Sequence, residues 1–331
     1  MTGRWRVGLA LLAWIAATGC EFGELTVATP EDILIVEGQV VVALEKAATS
    51  GDLGPGTTLI ASAYLHRTFT DPNIAAPVGV VQITDEGSGV EIVLTEAPKA
   101  ACVRFDTTGQ FGVDGPPGTC YRDIISPSPF SPGARLTLEV TTSDNRVMTG
   151  TTQVPGSFSL EGLTHSVGQC RLPPDSNYPV SWTESAETWA YVGESNIFGL
   201  DTALEPQGIE APEVLFLDGL SIGQEDTEMV FPAEFGVFDR FDLEGGLSQA
   251  LQDGLPDGTR AEIAMSAGDR NWVNWERGGN FNPSGAVRIP SVFGDGTGVF
   301  GSAVRHDFEV VVSSNPSNPL PICGELEPER P

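Results

Sequence analysis

Residues 33–154 are broken into short apolar runs by clusters of Gly, Ser, Asp and Pro, and this spacing constrains the fold more than any other feature of the chain. The runs 33–44, 57–65, 78–84 and 90–94 are rich in Val, Ile, Leu and Thr, residues that suit a pleated, half-buried surface. Within 134–142, Leu136, Leu138 and Val140 alternate with Thr137, Glu139 and Thr141. A period of two sends the first set to a core and the second to water, which is the signature of a strand and not of a helix. A partner strand is expected at 146–154. Asp85-Glu86-Gly87-Ser88-Gly89 and Ser143-Asp144-Asn145 stand where hairpin loops belong, since Gly and Asn tolerate the positive φ of a tight reversal. Pro155-Gly156 ends the series, so residues 32–155 are expected to form a β-sandwich of about seven strands.

Residues 156–312 carry the same signals at lower density. Strands are expected at 180–183, 188–192, 214–217, 229–231, 260–266 and 300–312, the last with Val304, His306, Phe308 and Val310 in alternate positions. A helical turn is expected at 247–252, before Gly254. A second short helix is expected after Asp269 as its cap, carrying Trp272, Val273 and Trp275 and ending at Gly278-Gly279. The fold class is therefore all-β: a sandwich followed by a second β-rich domain with one or two short helices. Residues 313–331 are rich in Asn, Pro and Glu, lack an apolar period, and read as an irregular tail.

The first twenty residues give an address. Arg4 and Arg6 precede an apolar run, Val7 to Ala17, that has signal-peptide length and is too short to span a bilayer. Ala17-Thr18-Gly19-Cys20 then resembles a lipoprotein cleavage box, in which Cys20 supplies the thiol that accepts a lipid. The same small residues suit an ordinary secretory peptidase, and Ala17 stands where Leu is usual. Lipidation is the reading carried forward: signal peptide 1–19, acylated Cys20, tether 20–31, and an outer-membrane location whose face is open.

Charge narrows the partners. The formal charge is −28 with only 17 Lys plus Arg, and removal of residues 1–19 would take away two arginines and no acid. Nucleic acid is excluded as a partner because phosphate binding needs a basic stripe. An acylated Cys20 would leave Cys102, Cys120, Cys170 and Cys323, an even set suited to disulfides in an oxidising compartment. Of three possible pairings, the expected one joins Cys102 to Cys120 around a Gly/Pro-rich loop and Cys170 to Cys323, pinning the tail. No CxxC pair is present to imply a metal, and no cofactor is expected.

Candidate chemistry is sparse. Gly219-Leu220-Ser221-Ile222-Gly223 spells a nucleophile-elbow motif, and Asp295 and His306 follow Ser221 in the order of a hydrolase triad. The elbow needs a helix after it, and Gln224-Glu225-Asp226-Thr227-Glu228 does not supply one. The reading is that the chain is not an enzyme, with a serine hydrolase at Ser221 as the rival. His66, His165 and His306 fall in separate elements and form no ligand set, while the loop from Asp239 to Glu244 is a weak calcium candidate. Trp182, Trp189, Trp272 and Trp275 are read either as core residues, the commoner role, or as exposed aromatics for a partner or a sugar; Trp272 with Trp275 would share one helix face, which belongs to the core or to a partner contact.

The order of pieces, from Ile33-Leu34-Ile35-Val36-Glu37-Gly38 through Val78–Asp85 and Pro132–Val140 to Val154-Pro155, and then Trp272, Trp275, Gly278–Pro283 and Gly298-Val299-Phe300-Gly301, resembles a family of bacterial envelope lipoproteins catalogued as domain of unknown function 4249. The resemblance covers about residues 30–312 and is weak over 157–228. It implies an immunoglobulin-like or carboxypeptidase-regulatory-like first domain and association with TonB-dependent outer-membrane receptors. It transfers no catalytic residue. The expected function is thus a membrane-anchored, non-enzymatic accessory or binding subunit of an envelope assembly, with a glycan-binding lipoprotein as the alternative.

Overall fold

The computed structural model describes residues 32–44, 57–68, 77–102, 118–161, 168–220, 225–236, 243–280 and 289–324. The expected signal peptide, Cys20, the tether, His165, Ser221 and residues 239–242 lie outside the described residues. The chain is mainly β, as its period-two runs require. In the first half the strands are β1 (Leu34–Leu44), β2 (Thr57–Arg67), β3 (Gly79–Asp85), β4 (Glu91–Val93), β5 (Glu96–Ala97), β6 (Gly118–Ile125), β7 (Arg135–Thr142) and β8 (Val147–Gln153). In the second half they are β9 (Leu160–Glu161), β10 (Gln169–Leu172), β11 (Tyr178–Trp182), β12 (Ala190–Phe198), β13 (Val214–Leu220), β14 (Glu228–Phe231), β15 (Arg260–Gly268), β16 (Val292–Gly294) and β17 (Thr297–Val312). Among the described residues three α-helices join them: α1 (Leu200–Leu204), α2 (Gly245–Asp253) and α3 (Arg270–Asn280).

Alternation becomes burial in the first half. Leu136, Leu138 and Val140 of β7 are fully buried, as are Val36, Val40 and Val42 of β1. Both hairpins form where the turn residues stand: β3 pairs antiparallel with β4, and β7 with β8 across a turn in which Asn145 takes φ 63°. One continuous path, β4-β3-β7-β8-β16-β17-β1-β2-β6-β5, folds over so that its ends face each other. A Cβ on Gly38 of β1 would come 3.1 Å from the Leu138 side chain of β7, and Tyr121 of β6 reaches across to accept a hydrogen bond from the Gly79 amide at 2.9 Å. Such cross-layer contacts define a sandwich.

The expected boundary near residue 155 is a connection inside one compact unit, Ile33–Pro331. The reason is β17. On one side this strand runs parallel to β1, from Ile35↔Thr297 to Leu44↔His306, and then to β10. On its other side it pairs antiparallel with β16 at Gly298 and, from Ala303 to Val311, with β15. A single strand is thus shared by the sandwich and by the second-half layer β13-β12-β15, and the sheet forks between Gly298 and Ala303.

Each face of that second layer is covered. Tyr191 lies against Trp182 of the small sheet β14-β11-β9 with ring centroids 5.1 Å apart. On the opposite face Ala190, Val192 and Ala303 bury Trp272 and Val273 of α3. The helix continues through Gly278 and Gly279 to Asn280, past the expected stop; glycine within a helix costs only about 1 kcal/mol and does not oblige it to end.

Candidate functional site

Where the sheet forks, β17 leaves β16 after Gly298 and meets β15 only from Ala303, so the backbone groups between lose a strand neighbour on that side. Buried amides and carbonyls must find partners elsewhere. The start of α3 supplies them. Asp269 donates its own amide to the Ser302 carbonyl at 2.9 Å and accepts from the Ser302 amide through Oδ1 at 3.1 Å, so one residue completes the ladder that β15 has left. Asn271 Nδ2 donates to the carbonyls of Thr151 and Phe300, each at 3.0 Å, tying β8 to β17.

Asp269 has a second task, the one its sequence position foretold. Its Oδ1 accepts from the Trp272 amide at 2.8 Å and caps α3. Its Oδ2 accepts from the Thr152 hydroxyl at 2.6 Å. Thr152 Oγ1 also lies 2.7 Å from Ser302 Oγ; with the threonine proton committed to the carboxylate, the serine is the donor. Burial pushes the Asp269 carboxyl above the ordinary carboxylate range, and the hydrogen bonds from Thr152, Trp272 and Ser302 oppose that push.

Above this network the fork opens as a cleft of about 730 Å³. One wall is the end of β8, with Thr151 and Gln153; another is the start of α3, with Arg270 and Asn271; the third is the segment 184–189 leading into β12. That segment is fastened at both ends. The Ser185 amide donates to the Tyr191 hydroxyl at 2.7 Å, Ser185 Oγ donates to the Gly156 carbonyl at 2.7 Å, and the Trp189 amide donates to the Gly268 carbonyl at 2.8 Å. Between these ties Glu187 takes φ 59°, a left-handed conformation that strains a residue with a Cβ. The result holds Trp189 at the cleft, 39% exposed, with the Arg270 guanidinium 5.3 Å from its ring centroid. The side chains of Glu187, Glu225 and Arg270 make no ion pair and no hydrogen bond among the described residues, and all three line this space.

The residues singled out in the sequence are placed differently. Trp272 is 2% exposed in the core beneath α3, which corrects its assignment to a partner surface: glycines at 268 and 301 let the indole settle between β15 and β17, where a Cβ would meet it at 2.3 Å and 2.4 Å from its ring and amide. Trp275 is half-buried. Trp182 belongs to the core, and among the described tryptophans only Trp189 has the exposure of a site residue. The sign that could have marked it is its place at the end of a polar stretch, Thr183-Glu184-Ser185-Ala186-Glu187-Thr188, immediately before an apolar strand.

The triad does not assemble. Asp295 accepts from the Val147 amide at 2.9 Å, while His306 Nε2 bonds the Phe158 carbonyl at 2.7 Å. Between them lies the extended length of β17, so the two stand about 30 Å apart at roughly 3.3 Å per residue. His66 lies 3.7 Å from Glu37, far along the sheet from His306 in register. Among the described residues no three of His, Cys, Asp and Glu converge on a point where a metal could sit. The cysteines do pair as expected: Cys102 with Cys120 at a Cα separation of 5.7 Å, and Cys170 with Cys323 at 4.9 Å. No protein-family model matches the chain, and no curated protein matches it.

Proposed function

We propose that this protein is an exported, non-enzymatic binding subunit of the cell envelope, held at the outer membrane through a lipid on Cys20 and presenting the fork cleft to its ligand. The observation that carries this reading is the cleft itself. Its floor is a closed hydrogen-bond network on strands and a helix end, while its walls hold an exposed indole and charged groups with unused bonding capacity. Rigid floors with unsatisfied walls are what a preorganised binding site requires. Two disulfides support an oxidising compartment, in agreement with the signal-like N-terminus. The resemblance to envelope lipoproteins points to an assembly containing a TonB-dependent receptor as the setting.

Two measurements test this. Mass spectrometry of the native N-terminus is expected to find acylated Cys20, and Cys20→Ser is expected to move the protein from the membrane to the soluble fraction. Affinity purification from solubilised membranes is expected to recover a receptor barrel. An unmodified N-terminus on a protein free in the medium would defeat the anchoring half of the proposal, and repeated purification without any membrane partner would defeat the accessory half.

A further inference from the structure

We infer that the fork cleft takes a neutral oligosaccharide of two or three sugar rings, one of them stacked on Trp189; the inference rests on the cleft being the ligand site. Three observations select this class. Its volume of about 730 Å³ falls in the range of small-ligand sites, about 300–1,000 Å³. Its apolar contribution is concentrated in one half-exposed indole, and a pyranose offers a flat C–H face of matching size with hydroxyls around the edge. Its walls alternate acceptors and forked donors: the carboxylates of Glu187 and Glu225, the guanidinium of Arg270, the Gln153 amide and the Thr151 hydroxyl. Vicinal hydroxyls donate and accept at once, and carboxylates and guanidinium groups can each engage two of them.

Charge removes the competing classes. Four acids, Glu184, Glu187, Glu225 and Asp269, line the cleft against two bases, Arg135 and Arg270, so an anionic ligand meets net repulsion. A cationic ligand would seek the ring face of Trp189, and Arg270 already supplies a cation there at 5.3 Å. A neutral, hydroxyl-rich molecule suits what remains.

The test uses the full mature chain in detergent, titrated by calorimetry and tryptophan fluorescence with neutral trisaccharides of glucose, xylose, mannose and N-acetylglucosamine. A galacturonic-acid trimer and an Arg-rich peptide serve as the charged probes. At least one neutral trisaccharide is expected to saturate at millimolar concentration or below. Trp189→Ala should weaken it by about tenfold, the free energy of one aromatic stack, and Trp189→Phe should restore part of the loss. Glu187→Gln and Arg270→Gln should each weaken binding while the unfolding midpoint stays fixed, which separates contact from folding. Sugar binding indifferent to Trp189→Ala would overturn the site, and binding of the peptide or the acidic trimer alone would overturn the ligand class. If no probe binds while membrane purification still recovers a partner, only the sugar inference falls; if both fail, the binding-subunit reading falls with it.

Discussion

Two tryptophans on neighbouring elements have opposite roles, and a single type of substitution separates them. Trp272 is enclosed by Ala190, Val192, Val273 and Ala303, so Trp272→Ala is expected to lower unfolding free energy by about 3–5 kcal/mol through lost burial and a cavity. Trp189 is open to solvent, and its removal is expected to stay within about 1 kcal/mol in a urea titration. Reversed magnitudes would mean that the core and the cleft have been misassigned. Asp269 is the other decisive residue. Its loss to Ala strands the amides of Ser302 and Trp272 and the Thr152 hydroxyl, and at about 1–3 kcal/mol for each buried orphan the expected loss is about 4 kcal/mol. With Asn in its place the pH dependence becomes informative. A carboxyl raised by burial favours the folded state most below the unfolded pKa of about 4 and loses that advantage as pH rises through the folded value. The stability gap between the natural protein and Asp269→Asn should therefore shrink as pH is raised from the acid side, and a gap that widens would refute the burial argument. Asp269 was legible in sequence as a helix cap because capping is local. Its bonds to Thr152 and Ser302, 117 and 33 residues away, depend on the fork and leave no local trace.

At the level of elements, what sequence revealed depended on whether one face of a strand meets water. The β7–β8 hairpin, wet on one face, was readable to within a residue, as was β3 with its Gly-containing turn. Strands enclosed on both faces lose alternation. In β12, Ala190 to Gly193 are all buried and the polar stretch Gly193-Glu194-Ser195-Asn196 looks like a loop, yet Gly193 is needed because a Cβ there would come within 2.7 Å of the Phe235 ring. Strand β17 shows the same effect: Gly298 to Val304 are all buried, with Gly301 placed so that α3 can approach. Gly301→Ala would put a methyl group 2.4 Å from the Trp272 amide, against backbone that cannot swing away. The expected outcome is a displaced α3, read as loss of the near-ultraviolet circular-dichroism signal of the tryptophans and a destabilisation of about 3 kcal/mol or more. An unchanged spectrum would show that the helix does not need this close approach. The strands β6 and β10 escaped reading for a different reason: β10 is only four residues long, and in each strand a cysteine, Cys120 or Cys170, takes one of the buried positions.

For the whole molecule, the long-range order comes from one strand laid between the first strand and the late ones, a pairing that no local pattern could announce. Parallel contact between residues 35–44 and 297–306 closes a loop of most of the chain, and such closure is entropically demanding. The disulfides reinforce this unequally. Cys102 and Cys120 are 18 residues apart and restrain a local loop; Cys170 and Cys323 are 153 apart and fasten the segment after β17 back onto β10, where Arg171 and Cys323 also exchange a backbone hydrogen bond at 2.9 Å. If restriction of the unfolded chain governs, replacing both cysteines of the long-range pair by Ser should cost about 5 kcal/mol and replacing the short-range pair about 3 kcal/mol. Acid-rich composition adds a condition. With a formal charge of −28 the folded chain repels itself, so both variants should be rescued in part by added salt, which screens that repulsion without restoring the cross-link. Urea midpoints at low and high salt measure both effects together. An equal loss for the two pairs would show that native contacts around each bridge, and not the length of chain it closes, set its contribution.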